Sequence, residues 1–272
     1  MTAAEDMATQ RGHVIEANGV NIWYEVHGQG DPLLLLHAGT LTADMWQPYL
    51  SALVKHFQVI TPDFRGHGRS AKPAGAMSYR LLADDMAAFI RAVDLHSPSI
   101  AGFSDGGQVA LEIGMRYPHL PRCIVVGGAW FKFSETYRAW VRDALGNEES
   151  PDVDSERLAR NHPDWVAWLG QIYGPENWKP LLMTMKRMWT TPLDYAADDF
   201  KRVVAPVLVL IGDRDELVPV EEAVEMYRLL PRAQLAVVPG ADHGAFFSDE
   251  VTAFQSVILD FLLRHAIRPV DT

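Results

Sequence analysis

The sequence predicts an α/β protein with a mostly parallel sheet and helices on both faces of it. Residues 33–36 and 207–211 are apolar throughout, which is typical of strands buried on both faces. Segments with helical spacing separate such runs along the chain, and strands that alternate with helices pair in parallel. With 272 residues, 48% of them hydrophobic, the chain is long enough for one domain of this kind with a modest insertion.

The predicted elements start with a hairpin. Residues 13–17 and 20–26 flank the dipeptide Asn18-Gly19, which favours a tight turn. Helical spacing covers residues 43–55 and 78–93, the second segment with Ser78 as its N-cap. The remaining strand-length apolar runs lie at residues 33–36, 58–61, 99–101, 123–126, 207–211 and 235–238.

Residues 130–200 break this alternation. They hold six of the eight tryptophans and show helical patches, but no run that predicts a strand. The six are Trp130, Trp140, Trp165, Trp168, Trp178 and Trp189. We therefore predict a helical cap at 130–200, over a core made of residues 1–129 and 201–272. Some of the tryptophans must form the interior of the cap, so fewer than half are expected to contact a substrate.

Composition limits the partners and the compartment. A formal net charge of −11 argues against nucleic acid and anionic membrane surfaces. The single cysteine, Cys123, lies in an apolar run, so it is expected to be a buried residue of a protein from a reducing compartment. The first ten residues lack the pattern of a signal peptide, and no apolar run approaches the length of a membrane span. A cytoplasmic protein is expected, as a monomer or a homodimer.

The segment at residues 99–107 carries the strongest chemical signal. An apolar strand ends at residues 102–106, which read Gly-Phe-Ser-Asp-Gly, and a helical pattern follows from Gln108 to Tyr117. A G-x-S-x-G pattern between a strand and a helix predicts a sharp turn that exposes the hydroxyl of Ser104. Glycine is required at 102 and 106 because a Cβ at either position would meet the crossing backbone.

Two later strand ends supply the partners that a serine nucleophile needs. A nucleophilic serine requires a base, and the base requires a carboxylate that orients it. The run at 207–211 is followed by Asp213 and Asp215, and the run at 235–238 is followed by His243. The chain order serine, acid, histidine would bring all three to one edge of a parallel sheet. Spacing alone does not choose between the two aspartates.

These blocks, together with residues 36–40 and 63–70, resemble the α/β-hydrolase superfamily over nearly the whole chain. The Ser-Asp-Gly-Gly form of the turn resembles the biphenyl-hydrolase-like (valacyclovirase-type) esterases. The resemblance implies that Ser104 is the nucleophile and His243 the general base. It also selects Asp215 as the orienting acid, since that residue is the fourth of the family pattern Gly-x-x-Asp-x-x-Val-Pro. Asp213 is then expected to bond loop backbone or Arg214.

An acyl-transfer site also needs two backbone N–H donors for the oxyanion. One is expected to be the amide of Asp105, at the start of a helix where the dipole helps. Matching His37 to the family's histidine places the other at Gly39, with Thr40 as the alternative. The chain departs from the family in having Ala38 where glycine is usual.

The side chain of Asp105 allows two interpretations. It could hold the ammonium group of an α-amino ester, as the valacyclovirase-type resemblance implies. It could also be an acid that stabilises the first turn of a helix. The second interpretation is preferred, because one residue cannot fix a substrate.

The sequence thus predicts a cofactor-independent serine hydrolase that cleaves carboxylic esters of small to medium size, α-amino and aromatic esters among them. The expected substrate-binding residues are Asp105, Trp130, Trp165 and Trp168. The same three catalytic groups also support C–C bond hydrolysis, lactone opening, amide cleavage and perhydrolysis, and a small-molecule receptor with slow turnover is a further alternative. No metal is expected because no residues have metal-ligand spacing, and residues 63–70 lack the ending of a phosphate-binding loop. No dinucleotide cofactor is expected either, because no Gly-x-Gly-x-x-Gly follows a strand.

Overall fold

A single sheet organises the protein, whose computed structural model describes residues 12–73, 75–248 and 252–265. In these residues the sheet has eight strands in the spatial order β1-β2-β4-β3-β5-β6-β7-β8. The strands are β1 (His13–Ala17), β2 (Val20–His27), β3 (Asp31–Leu36), β4 (Phe57–Pro62), β5 (Ser99–Phe103), β6 (Ile124–Gly127), β7 (Val207–Gly212) and β8 (Ala233–Val238). Strand β2 pairs antiparallel with both of its neighbours, and every pairing from β4 onward is parallel. The predicted mostly parallel sheet is confirmed.

Helices cover both faces of this sheet and fill the segment between β6 and β7. They are α1 (Gln47–Leu53), α2 (Tyr79–Ala92), α3 (Asp105–Arg116), α4 (Glu135–Leu145), α5 (Ser155–Asn161), α6 (Pro163–Tyr173), α7 (Trp178–Trp189), α8 (Ala197–Lys201), α9 (Val220–Leu229) and α10 (Thr252–His265). Short 3-10 helices at Ala43–Trp46 and Gly244–Phe247 complete the set.

Strand β3 shows how the sheet builds two separate cores. Its side chains alternate, so that Leu34 and Leu36 pack with helices α2 and α3, whereas Leu33 and Leu35 pack with α1 and α10. All four leucines are fully buried, which explains why the run carries no polar residue. The first of these two cores continues into the helices between β6 and β7.

Local sequence signals placed most elements within a few residues. The hairpin turns at Asn18-Gly19 as predicted, and the side chain of Ser78 accepts a hydrogen bond from the amide of Leu81 as the N-cap of α2. The helix predicted over residues 43–55 is wrong as one element, because it is a 3-10 helix followed by α1. Pro48 explains the break, since it has no N–H for an α-helical bond to Asp44 and is favoured in the first turn of a new helix.

Residues 130–200 contain helices α4 to α7, the start of α8 and no strand. We call this stretch the cap segment; its division from the core at residues 130 and 200 stays a prediction. Cys123 is buried, as expected. The expectation about a signal peptide concerns residues that lie outside the described part of the chain. No helix in the described part is long and apolar enough to cross a membrane.

The two glycines of the β5–α3 turn generate a prediction about stability. A Cβ on Gly102 would lie 2.1 Å from the carbonyl oxygen of Gly106, whereas a Cβ on Gly170, in helix α6, would meet nothing within 4 Å. Gly102→Ala should therefore lower the free energy of unfolding by about 3 kcal/mol or more, because backbone must shift. Gly170→Ala should raise it by about 0.5 to 1 kcal/mol, as expected in an open helix. Urea denaturation of both variants checks the pair, and equal effects would contradict the close approach at Gly102.

Candidate active site

Ser104 sits at a strained turn between β5 and α3. Its backbone has φ 55° and ψ −122°, a conformation that L-residues rarely adopt. The turn is tight because Gly106 lies against strand β3, where an added Cβ would be 2.1 Å from the carbonyl oxygen of Leu36. The amide of Ser104 donates to the carbonyl of Gly127 at 2.8 Å, which ties the turn to β6. The strain holds the hydroxyl at the edge of the sheet.

The ends of β7 and β8 bring an acid and a histidine to this hydroxyl. The His243 Nε2 atom lies 3.1 Å from Ser104 Oγ, and His243 Nδ1 lies 2.7 Å from Asp215 Oδ2. The other oxygen of Asp215 accepts from the amides of Leu217 and Val218 at 3.0 and 2.9 Å. The carboxylate is thereby held with one oxygen toward the imidazole, as an orienting acid requires.

Asp213, which the spacing of the sequence could not distinguish from Asp215, forms contacts away from His243. Asp213 Oδ1 accepts from the amide of Gly240 at 2.5 Å, and Arg214 Nε lies 3.9 Å from the same oxygen. These contacts brace the loops after β7 and β8 against each other. The structure therefore places only Asp215 of the two within hydrogen-bond distance of His243.

The electrostatics of His243 suit a base that becomes cationic during the reaction. Burial disfavours the imidazolium, but the carboxylates of Asp215, Glu216 and Asp105 outweigh this effect and raise the pKa of His243 above 6.5. Ser104 and His243 are each only 8% exposed, so bulk water screens these charges weakly.

The two residues expected to provide oxyanion donors, Gly39 and Asp105, line the same cavity as Ser104. Within the described residues, the amides of Gly39 and Asp105 have no hydrogen-bond acceptor. The amide of Ala38 differs, because it donates to Met45 Sδ at 3.0 Å. Thr40, the alternative donor, also has an amide without an acceptor, so Gly39 and Thr40 both stay available as donors in this loop; both line the cavity together with Asp105.

The side chain of Asp105 is buried against the cap segment. Its Oδ1 accepts from the Tyr79 hydroxyl at 2.5 Å, and the indole Nε1 of Trp189 lies 3.0 and 2.9 Å from its two oxygens. The carboxylate also fills the space beside Gly39, where an added Cβ would lie 1.9 Å from Oδ2. Sequence reasoning missed Tyr79 and Trp189, which come from α2 and α7.

The carboxyl of Asp105 forms no ion pair with a described lysine or arginine, and His243 is its cationic neighbour when the imidazole is protonated. Burial raises the pKa of Asp105 from 3.8 to about 6, although the hydrogen bonds from Tyr79 and Trp189 favour the ionised form. A carboxyl whose pKa is raised on folding stabilises the fold when protonated. This contribution is complete below about pH 4 and is lost as the pH rises through 6. The difference corresponds to about 3 kcal/mol, so the fold is less stable with Asp105 ionised than with Asp105 protonated.

A cavity of about 490 Å³ opens above Ser104 and is lined mainly by aromatic side chains. The four residues expected to bind substrate, Asp105, Trp130, Trp165 and Trp168, all line it. So do several aromatic residues that were not predicted: Tyr137, Trp140, His162, Trp189 and Phe247. Five of the six tryptophans of the cap segment thus line the cavity. Fewer than half of them were expected to contact a substrate, so the cavity wall contains more tryptophans than predicted.

The cavity has a buried inner end and an exposed outer end. Trp130, Tyr137 and Trp189 form the inner end and are at most 5% exposed. Trp168, 37% exposed, lies at the outer end with the exposed acids Asp164 and Glu216. The described lining residues include three acids, counting Asp105, but no lysine or arginine. The cavity is therefore suited to neutral or cationic groups rather than to anions.

The charged segment at residues 63–70 is hydrogen-bonded to the loop that follows β3, beside the site. Asp63 is buried and accepts from the amide of Ala43 at 2.8 Å and from Arg69 Nε at 2.9 Å. The buried His37 accepts from the amide of Phe64 at 2.9 Å, so it joins the two loops. Within residues 12–73, 75–248 and 252–265, no group of three or more His, Cys, Asp or Glu side chains could hold a metal ion.

Comparison with known proteins places this site in a family. The geometry is that of a hydrolase whose serine lies on a strand–helix turn with a histidine and an acid behind it. Residues 33–254 match the alpha/beta hydrolase family, and the chain belongs to that family.

Relatives and solved structures of similar fold include several kinds of hydrolase. The AB hydrolase superfamily protein YisY of Bacillus subtilis is 27% identical over 92% of this chain and 98% of its own. The 2-(acetamidomethylene)succinate hydrolase of Mesorhizobium japonicum is 26% identical over 89% and 93%. A thermophilic esterase from Thermogutta terrifontis, solved with malate bound, has TM-score 0.74 and 24% identity over 94% of this chain and 99% of its own. A meta-cleavage product hydrolase from Pseudomonas fluorescens has TM-score 0.76 and 21% identity over 93% of this chain and 98% of its own.

The contribution of Asp105 to the basicity of His243 can be measured directly. In Asp105→Asn one of the negative charges that favour the imidazolium is gone, so the pKa of His243 should fall. Proton NMR of the imidazole across about pH 5 to 9 checks the shift, and Asp164→Asn, at the exposed rim, is the matched control. An equal shift of the His243 pKa in both variants would show that Asp105 affects His243 no more than a distant acid does.

Proposed function

We propose that this protein hydrolyses carboxylic esters of small to medium size through an acyl-enzyme on Ser104. The observation that carries the proposal is the continuous chain of contacts from Ser104 Oγ to His243 and from His243 to Asp215. The amides of Gly39 and Asp105 have no acceptors, and both residues line the same cavity as the serine. Nucleophile, base, orienting acid and oxyanion donors are the parts that acyl transfer needs.

The geometry supports the following sequence of steps. Ser104 Oγ attacks the ester carbonyl carbon while its proton moves to His243 Nε2, and the carbonyl oxygen becomes an oxyanion held by the two amides. The tetrahedral intermediate collapses when the C–O bond to the alcohol breaks, and the alcohol leaves with the proton from Nε2. A water then gives a proton to Nε2 and attacks the acyl-enzyme. The Oγ–C bond breaks, Oγ takes the proton back, and the acid is released.

The charges of the cavity favour neutral esters over carboxylate-bearing substrates. A substrate such as an acetamidomethylene succinate carries anionic groups, and a buried anion needs cationic or hydrogen-bonding partners. The described lining of this cavity offers aromatic surface and three acids, without lysine or arginine. This composition supports an ester with an apolar or aromatic group rather than the substrate of that relative.

Asp105 supports a preference for α-amino esters within this class. Three hydrogen-bond contacts from Tyr79 and Trp189 leave part of the acceptor capacity of the carboxylate unused. Burial makes its ionised form less favourable than its protonated form, and a substrate ammonium group would offset that cost. Such a cost is typical of residues that are retained for function. The role as a helix-end acid does not explain why the side chain turns inward.

The ester proposal is tested with p-nitrophenyl acetate and butyrate. Wild type should show steady turnover, and Ser104→Ala should lose at least about a thousandfold in kcat because the nucleophile is gone. Circular dichroism of the variant controls for folding. Ester turnover that survives in Ser104→Ala would contradict the assignment.

A panel of further assays tests the other reactions of this fold. It measures hydrolysis of a lactone, of a peptide-type amide and of a vinylogous 1,5-diketone, and the formation of a peracid. If wild type acts on one of these and not on esters, the ester proposal is wrong and that bond is the substrate. If it binds a compound but completes less than one turnover, the receptor alternative replaces the enzyme.

The preference for α-amino esters is tested with a matched pair of substrates. The p-nitrophenyl esters of phenylalanine and of 3-phenylpropanoic acid differ only in the amino group. Wild type should favour the first in kcat/KM, and Asp105→Asn should reduce this ratio about tenfold or more because the ion pair is lost. The ratio cancels any general loss of activity in the variant. An unchanged ratio would contradict the binding of the ammonium group by Asp105 and would leave the acid that stabilises the first turn of a helix as the interpretation of this residue.

A further inference from the structure

The loop that carries His243 is joined through its backbone to the loop after β7. The amide of Arg214 donates to the carbonyl of Ala241 at 2.9 Å, two residues before His243. Gly212 lies close to the same carbonyl, where an added Cβ would be 2.1 Å from the oxygen. The two loops are thus fixed against each other as far as residue 241, and the position of His243 depends on what holds the residues that follow.

A side chain of the loop after β7 holds the backbone of His243 itself. The amide of His243 donates to Glu216 Oε2 at 3.3 Å. His243 is 8% exposed, and a backbone N–H in such a setting is costly when it has no acceptor. Because Asp215 contacts His243 Nδ1 at 2.7 Å, two consecutive acids bind the two ends of one residue. Asp215 holds the ring, and Glu216 holds the main chain.

The ring of His243 needs both restraints to face the nucleophile. Its Nε2 atom lies 3.1 Å from Ser104 Oγ, close enough for proton transfer. A single hydrogen bond at Nδ1 lets the imidazole pivot about that contact, whereas a fixed main chain removes this freedom. A displacement of about 1 Å at a reacting group can cost about a hundredfold in rate. The contact of Glu216 therefore bears on the reaction, although its hydrogen bond is to the backbone.

Glu216 has no ion pair that would explain its position. It is an exposed residue at the outer end of the cavity, and its carboxylate lies near no lysine or arginine of residues 12–73, 75–248 and 252–265. The amide of His243 is the one donor that it contacts in this part of the chain. An exposed carboxylate is free to turn toward water, so neighbouring charges do not impose its contact with this amide.

We propose that Glu216 is a positioning residue for His243, which it keeps within reach of Ser104 by accepting the backbone amide. A hydrogen bond to a buried amide requires an oxygen but no charge, so a neutral acceptor at position 216 should hold His243 as well. The role is thereby distinct from the electrostatic effect of the same carboxylate on the imidazole. This inference rests on the proposed function, in which His243 is the base, and adds a residue that keeps the base in place.

Glutamine and alanine at position 216 separate the two effects. Burial disfavours the cationic form of His243. The charges of Asp215, Glu216 and Asp105 favour that form. Removing the charge of Glu216 should therefore lower the pKa of His243 in both variants, so that the acid limb of kcat/KM moves to lower pH in both. Glu216→Gln keeps an oxygen that can accept the amide, whereas Glu216→Ala loses it.

The rate above the acid limb reports the positioning of the base. Hydrolysis of p-nitrophenyl butyrate is measured across about pH 5 to 9, a range that brackets the ordinary pKa of histidine. On the plateau, Glu216→Ala should lose about tenfold in kcat with KM within about twofold of wild type, because the base is displaced. Glu216→Gln should keep kcat within about twofold of wild type. Equal plateaus in the two variants, lowered or not, overturn the proposal.

Asp213→Ala is the matched control. It also removes a carboxylate that ties the two loops together, but this carboxylate accepts from the amide of Gly240. Asp213→Ala should lower the melting temperature and keep kcat close to that of wild type. A loss of kcat as large as that in Glu216→Ala would show that bracing of the loops in general, and not the amide of His243, sets the rate; this result also overturns the proposal.

Failure of the ester proposal is separated from failure of this inference by amide hydrogen exchange, which requires no substrate. NMR should show that the amide of His243 exchanges about tenfold or more faster in Glu216→Ala than in wild type, with Glu216→Gln close to wild type. Unchanged exchange in Glu216→Ala overturns the inference whatever the reaction is. Faster exchange in a protein that hydrolyses no ester supports Glu216 as the partner of this amide, and only the ester proposal then fails.

Discussion

The site depends on the close approach of helix α3 to the strands beneath it. A backbone like that of Ser104 costs about 1 to 3 kcal/mol and persists only where the surroundings enforce it. Here β5 is flanked by β3 and β6 on either side, and α3 begins immediately above them. Gly102 and Gly106 permit backbone contacts that any Cβ would prevent. The position of the hydroxyl, the direction of the amide of Asp105 and the reach of His243 all follow from this crossing.

Asp105 joins the strained turn to the cap segment. Its amide stands at the start of α3, while its carboxylate is held by Tyr79 from α2 and Trp189 from α7. A shift of α7 would therefore move the residue next to the nucleophile. The same carboxylate leaves no room for a side chain at position 39, in the loop after β3. One acid thus couples the shape of the cavity to the geometry of the reacting centre, at the cost of a buried carboxylate that has no lysine or arginine as a partner among the described residues.

The sequence predicted what local patterns encode. Strands buried on both faces left apolar runs, glycines marked the strained turn, and the order of the strand ends brought Ser104, Asp215 and His243 to one edge of the sheet. The choice of Asp215 over Asp213 came from resemblance, because two aspartates two residues apart differ only in how the loop folds. Trp189 could not be assigned to Asp105, since 84 residues separate them and helical spacing does not say what a face packs against.

The distribution of charge connects substrate entry with product release. Ester hydrolysis turns the substrate into a carboxylate and an alcohol, so the acyl product is smaller and carries one more negative charge than the ester. The cavity holds no lysine or arginine in its described lining, and acids stand at both of its ends. In a buried site such as this one, an anion beside Asp105 has few favourable partners, whereas the neutral ester keeps its contacts with the tryptophans. The electrostatics therefore favour the substrate over the acid that the proposed reaction makes from it, and the same acids that restrict entry drive the product out.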